Sequence, residues 1–199
     1  MKKLFLIGGM GAGKSTARKA LTDEGLAWID LDQVGHEVLM WDTVKDDLRG
    51  AFGDDIFDEN GEVVRSALAA KAFATPAATR KLNTITMPRI EERYTDLIDG
   101  FEAEGKPAVV VEYSVFRNRQ SSLAYGADVV MAVLAPLETR IERAVKSGFS
   151  EEDVRARIAR QITDADRIEA SDVVVNNDGT PEELRNEVIS WWNEYKKTI

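Results

Sequence analysis

Lys3-Leu4-Phe5-Leu6-Ile7-Gly8-Gly9-Met10-Gly11-Ala12-Gly13-Lys14-Ser15 decides the architecture of this chain. Its opening residues 3–7, apolar from Leu4 to Ile7, read as a short parallel strand buried on both faces. Residues 8–15 then fit the phosphate-binding loop pattern G-x-x-x-x-G-K-[ST], and residues 16–24 read as a helix. Strand, glycine loop and helix, in that order, are the setting in which such a loop works. Its glycines let backbone N–H groups turn inward around a β-phosphate with no Cβ in the way. Lys14 can reach the β- and γ-phosphates, and the Ser15 hydroxyl can sit on Mg²⁺. The helix beyond presents its positive end to the same charge. The loop therefore calls for ATP or a similar nucleoside triphosphate, with a magnesium ion. Gly11, Ala12, Gly13, Lys14, Ser15 and Thr16 are the residues placed to hold them.

Beyond this stretch, apolar and β-branched runs recur at 27–30, 108–111, 129–134 and 173–175. Helical periodicity fills the gaps at 62–74, 77–104, 138–146, 151–163 and 181–195, the last opened by Thr180 as N-cap and Pro181. Such alternation predicts an α/β fold: a doubly wound, mostly parallel, five-stranded sheet with helical additions. Ligands of such sheets gather at the carboxyl ends of the strands.

The chain has 199 residues, a net charge of −9 and no cysteine. That length suits one domain with a modest insertion. The negative charge argues against a nucleic-acid partner, so an anionic nucleotide must be drawn in by local cations and helix ends. Lys2-Lys3 and the apolar stretch to Ala12 have the outline of a secretory signal, but Lys14 and Arg18 interrupt it and no small-residue cleavage site follows. No other stretch approaches the roughly 20 apolar residues that span a membrane. The expectation is a soluble, cytoplasmic protein without a membrane partner, a monomer or a weak homo-oligomer.

Three groups of side chains stand where chemistry is expected. Asp30 and Asp32 follow the second strand. A phosphotransferase needs a carboxylate to orient the attacking hydroxyl and accept its proton, and Asp32 is placed for that work, with Asp30 in support. The bland reading is that Asp32 caps a helix beginning near Gln33. Glu112 ends the third strand and can hold the hydration shell of Mg²⁺ beside Ser15, or simply face solvent. After the fourth strand, Arg140, Arg143, Lys146, Arg155, Arg157 and Arg160 lie on two helices around Ser147-Gly148-Phe149-Ser150. A cationic hairpin there reads as a lid that closes over a transferring phosphoryl group. The alternative is a solvated surface paired with Glu138, Glu142, Glu151 and Glu152.

Taken together these residues resemble the dephospho-coenzyme A kinase family over nearly the full length. The loop is similar, Asp30-Leu31-Asp32 stands for the family's Asp-Ala-Asp, and Gly35-His36-Glu37-Val38 for its Ala-Arg/His-x-Val. The stretch 61–68 with Phe73, then Arg157-Ile158-x-x-Gln161, then 171–177 with Gly179, continue the likeness. The resemblance implies ATP-dependent phosphorylation of the ribose 3′-hydroxyl of dephospho-coenzyme A. It implies a single P-loop kinase domain with its core at about 1–32, 105–135 and 164–199, a CoA-binding helical region at about 33–104 and a lid at about 136–163. It implies Arg65 and His36 as substrate contacts and the segment Asn176 to Gly179 beside the adenine. His36 read alone is equally an ordinary helix residue.

Three departures accompany the likeness. Met87-Pro88 replaces the family's His-Pro, and Tyr113-Ser114-Val115-Phe116-Arg117 replaces its Pro-Leu-Leu-x-Glu. Lys146-Ser147 replaces its lid Arg-Asp, so that either Lys146 or Arg143 meets phosphate. These changes bear on the acceptor. A related small-molecule kinase with another hydroxyl acceptor, or a non-catalytic ATP-binding regulator, are the alternative readings.

Overall fold

The computed structural model describes all of residues 1–199. They form two compact units, Met1–Asp30 with Ile98–Ile199, and Leu31–Leu97.

In the first unit, β1 (Lys2–Ile7), β2 (Ala27–Asp30), β3 (Ala108–Glu112), β4 (Val129–Leu134) and β5 (Val173–Asn176) make one sheet. Its order is β2-β3-β1-β4-β5, and every pairing is parallel. The expected strands are all present. Their side chains are apolar on both faces because helices cover both, as a parallel sheet requires. Helices α1 (Lys14–Asp23) and α9 (Pro181–Tyr195) bury Ala17, Leu21, Leu184, Val188 and Trp192 against Leu4, Leu6, Val110 and Val133. Trp192 is thus a core residue, while Trp191 is partly buried and stacks on Tyr195 at 5.1 Å between ring centroids. α9 opens on a full capping box, with Thr180 and Glu183 satisfying each other's backbone N–H groups.

The N-terminal ends of the strands are tied by two aspartates. Each stands one residue before a strand, in the repeated pattern Asp-Val-Val. Asp128 accepts from the Lys3 N–H at 2.8 Å and from Lys2 Nζ at 2.8 Å. Asp172 accepts from the Val130 N–H at 2.8 Å and from Arg119 Nη1 at 2.7 Å. Each carboxylate thereby satisfies a backbone donor at the start of the neighbouring strand. Burial pushes both carboxyls up, but the hydrogen bonds from Lys2 and Arg119 and from the two backbone groups outweigh it. Both lie below the ordinary carboxylate value.

The same unit carries α6 (Leu137–Lys146), α7 (Glu151–Ala159) and α8 (Asp164–Ala170). Sequence periodicity predicts one helix over 151–163; the structure ends it at Ala159 and starts another at Asp164. The break is chemical. Thr163 and Asp166 form a second capping box, which begins a new helix instead of continuing the old one.

The second unit is helical. It holds α2 (Leu31–Val38), α3 (Asp42–Phe52), α4 (Arg65–Ala72) and the part of α5 (Pro76–Ala103) up to Leu97. Val44, Leu48, Ile56, Leu68 and Ala72 form its own core. The helix predicted from residue 62 begins only at Arg65. Asp58 Oδ1 accepts from the Asn60 and Glu62 N–H groups, Gly61 takes φ +77°, and Val63 pairs with Phe57 across the resulting turn.

Two measurements check these packing arguments. Leu21→Ala removes a fully buried side chain and is expected to lower unfolding stability by about 2–5 kcal/mol in denaturant titration. The depressed aspartates stabilise the fold fully above their unfolded value, about 3.9, and this contribution is lost as pH falls through their lower folded values. Stability followed from pH 6 to pH 2 should fall below about pH 4, and Asp172→Asn should flatten that fall.

Candidate active site at the phosphate loop

The carboxyl ends of the strands carry the chemistry. Asp30 pairs in register with Glu112, and Leu134 with Asn176. Between β3 and β4, β1 runs out into the glycine loop. Gly11 and Gly13 take φ values of +74° and +106°, the left-handed region that L side chains avoid. Their surroundings exclude a Cβ as well. One on Gly13 would collide with Asn177 Nδ2, one on Gly11 with the Arg140 carbonyl, and one on Gly9 with the Arg140 guanidinium. The loop runs straight into α1, whose opening turn has N–H groups with no acceptor inside the helix.

The loop walls a cleft of about 270 Å³ together with Glu112, Arg143, Ala144, Ser147 and Phe149. Lys14 Nζ donates to the Gly8 carbonyl at 3.2 Å and lies 4.0 Å from Glu112 Oε1. Arg18 Nε stands 3.7 Å from Glu112 Oε2, with its guanidinium 4.0 Å over the Trp28 ring. Lys14, Ser15 and Glu112, predicted separately, therefore share one cleft. Glu112 is not a solvent-facing strand end, because its side chain is only 17% exposed.

The lid cations divide. Arg143 lines the cleft and donates from Nη2 to the Asn177 carbonyl at 3.3 Å, while its Nη1 is buried with no protein partner. Lys146 is exposed and is not among the cleft walls. Arg155 pairs with Glu151 and Glu138, as the solvated-surface reading holds. Arg140 is buried against the loop.

Asn176 ends β5 and is exposed. The following residue, Asn177, is the one whose side chain reaches the loop, its Nδ2 donating to the Ala12 carbonyl at 2.8 Å. Its own N–H continues the ladder by donating to the Leu134 carbonyl at 2.7 Å. Sequence reading includes Asn177 in the segment beside the adenine but gives it no contact with the loop. The one signal for it is a polar doublet closing an apolar strand, of which one member must turn inward.

A second cluster lies within the helical unit. His36 and Arg65 meet there at 3.0 Å. A guanidinium only donates, so His36 Nδ1 is the acceptor and the ring proton sits on Nε2. With Gln33, Glu37, Leu39, Met40, Glu62 and Val63 they line a cavity of about 500 Å³. Asp32 is exposed in the first turn of α2, two residues past the end of β2. Because α2 already begins at Leu31, Asp32 lies inside the helix and is not its N-cap.

The profile of the dephospho-CoA kinase family matches residues 4–183. The chain belongs to the dephospho-CoA kinase family. It is 40% identical over 189 residues to the dephospho-CoA kinase of Corynebacterium glutamicum, covering 94% of each chain. Against that of Deinococcus radiodurans it is 35% identical over 188 residues, covering 94% of this chain and 89% of the other. The fold is shared with a Thermus thermophilus protein at TM-score 0.81 and 24% identity, over 97% of both chains. It is also shared with the Campylobacter jejuni dephospho-CoA kinase at TM-score 0.64 and 20% identity, over 97% of this chain and 96% of that one. The family departure at 113–117 acquires a physical account. Tyr113 and Phe116 are buried, and Tyr113 makes edge contacts with Phe5 and Phe116 at 6.4 and 6.0 Å. No helix of the chain is long and apolar enough to cross a membrane.

Removing the inward asparagine tests the loop geometry. Asn177→Ala leaves the Ala12 carbonyl without its side-chain donor and is expected to lower stability by about 1–3 kcal/mol, with weaker ATP binding by calorimetry.

Proposed function

We propose that this kinase transfers the γ-phosphoryl group of ATP to the ribose 3′-hydroxyl of dephospho-coenzyme A, releasing coenzyme A and ADP. One observation carries the reading: an intact phosphate loop, with Lys14, Glu112 and Arg143 around one cleft, in a chain matched to the family over residues 4–183.

The loop N–H groups and Lys14 hold the β- and γ-phosphates. Mg²⁺ when bound neutralises phosphate charge as it develops on the transferring group and on the leaving oxygen. Ser15 and Glu112 are the residues that would hold it. One hydroxyl and one carboxylate on a shared cleft suit an ion that keeps much of its water and takes other ligands from substrate phosphates. Arg143 lines the cleft wall, and its guanidinium is the charge available to the γ-phosphoryl oxygens. In this reading Arg143 does the work open to either Arg143 or Lys146, and Lys146 supplies positive field from the surface.

Asp32 orients the acceptor hydroxyl and takes its proton. The freed oxygen attacks the γ-phosphorus, the bond from that phosphorus to the β-bridging oxygen breaks, and ADP leaves. His36 and Arg65 bind the acceptor in the cavity of the helical unit. Asn176, with the strand-end loop through Gly179, adjoins the adenine. The acidic, cysteine-free chain suits the reducing cytoplasm, where we place a monomer or weak homo-oligomer.

The departures at Met87-Pro88 and 113–117 favour one alternative, the same transfer to another hydroxyl acceptor. Incubating the protein with Mg²⁺-ATP and a panel of acceptors, and following ADP release, separates the two. Dephospho-coenzyme A should give the highest kcat/KM; a better acceptor elsewhere in the panel would overturn the assignment. Asp32→Asn should leave ATP affinity nearly intact and lower kcat by roughly 10²–10⁴-fold.

A further inference from the structure

Beside the cleft, and outside its walls, lies a buried polar cluster that phosphoryl transfer does not use directly. Arg140 is 6% exposed and Arg167 4% exposed. Both point at one carboxylate: Arg140 Nη2 lies 3.5 Å from Asp164 Oδ2, and Arg167 Nη1 donates to Asp164 Oδ1 at 2.5 Å. Arg167 Nη2 also reaches Gln161 Oε1 at 3.5 Å. That same amide oxygen accepts the backbone N–H of Met10 at 3.1 Å. The Arg140 guanidinium meanwhile packs so closely on Gly9 that no Cβ fits there. Two arginines on one aspartate leave a net positive charge behind the loop. Burial draws Arg167 below its usual value, against the pull of Asp164.

Met10 is held a second time, through its side chain. It packs on Ile141, Ala144 and Val154, with Ile158 beside them, so the residue joins the loop to α6 and α7. The loop segment Gly9-Met10 is thus gripped at its backbone by Gln161, from above its Cα by Arg140, and at its side chain by the helical hairpin.

We propose that Arg140, Gln161, Asp164 and Arg167 form a positioning clasp that sets the phosphate loop in its nucleotide-binding shape. Gln161 is the residue that engages the loop backbone, and the two arginines orient it and Gly9 through Asp164. Gln161 takes up the Met10 N–H, a donor early in the loop. Of the later donors, the Ala12 N–H turns back on the Gly9 carbonyl at 3.1 Å and closes a turn within the loop. Without the clasp the loop relaxes among several shapes, and ATP binds only the fraction that is competent.

The proposal rests on nucleotide binding at the loop and not on the identity of the acceptor, so its test reads ATP directly. ATP affinity is measured by calorimetry for the full chain and for Gln161→Leu, Gln161→Glu and Arg140→Met, alongside thermal midpoints and steady-state kinetics. Gln161→Leu removes the acceptor, while Gln161→Glu keeps an oxygen for Met10 beside two arginines. The expected result is an ATP Kd raised at least tenfold in Gln161→Leu and Arg140→Met and restored to within threefold in Gln161→Glu. The KM for the acceptor should change less than twofold in all three. An ATP Kd within twofold of the parent in folded Gln161→Leu would overturn the clasp. So would an equal loss in Gln161→Glu, or a loss of ATP binding that tracks the fall in thermal midpoint across the variants.

Discussion

The hydrogen bond from Asn177 Nδ2 to the Ala12 carbonyl, 2.8 Å long, is the contact on which the rest of this molecule's chemistry leans. A phosphate cradle is made of backbone, and backbone has no rotamer to hold it; its shape must be imposed from outside. Asn177 imposes it at Ala12 and Gly13, and Arg140 at Gly9 and Gly11. Both walls exclude a Cβ, which is the spatial reason for glycine at these positions, added to the positive φ angles of Gly11 and Gly13. Asn177 comes directly after β5 and Arg140 follows β4, so the sheet brings distant parts of the chain onto the loop.

The sheet itself is organised by end. At the N-terminal edge, Asp128 and Asp172 neutralise strand-start N–H groups and are paired with Lys2 and Arg119. These carboxylates are committed to the backbone. At the carboxyl edge, Asp30 and Glu112 stand in register on adjacent strands, with cations from α1 facing Glu112. Carboxylates thus stand at both ends of the sheet, committed to backbone N–H groups at one end and facing the cations of α1 beside the glycine loop at the other.

Much of this was legible along the chain. The five strands appear because a parallel strand covered on both faces must be apolar throughout, and such runs are visible without an alignment. The Thr180 cap is local chemistry and reads equally well. The start of α4 and the break between α7 and α8 were less plain, because a turn built on Asp58 and a capping box at Thr163 override a periodic apolar pattern. α2 and α3 are short helices whose burial depends on partners far along the chain. At the site, Lys14, Ser15, Glu112 and Arg143 are brought to one cleft. His36 and Arg65, 29 positions apart, meet within hydrogen-bonding distance. Asn177 and Gln161 lie in stretches that carry the family likeness, but their contacts with the loop escaped, because a neutral amide carries no charge and follows no periodicity; its role exists only once a loop backbone lies beside it.

By itself the sequence determined the nucleotide chemistry, since a glycine loop ending in Lys-Ser between a strand and a helix has one physical use. It determined the parallel sheet as well, through the uninterrupted apolar runs. Tertiary structure decided which cation stands at the cleft. Arg143 lines the cleft and Lys146 is exposed; three residues apart, they lie only about 60° from each other around the helix, so periodicity alone does not separate them and the position of the neighbouring loop does. It also decided which asparagine of an adjacent pair holds the loop. Strand-end residues alternate in direction, and only the position of the neighbouring loop says which direction is inward.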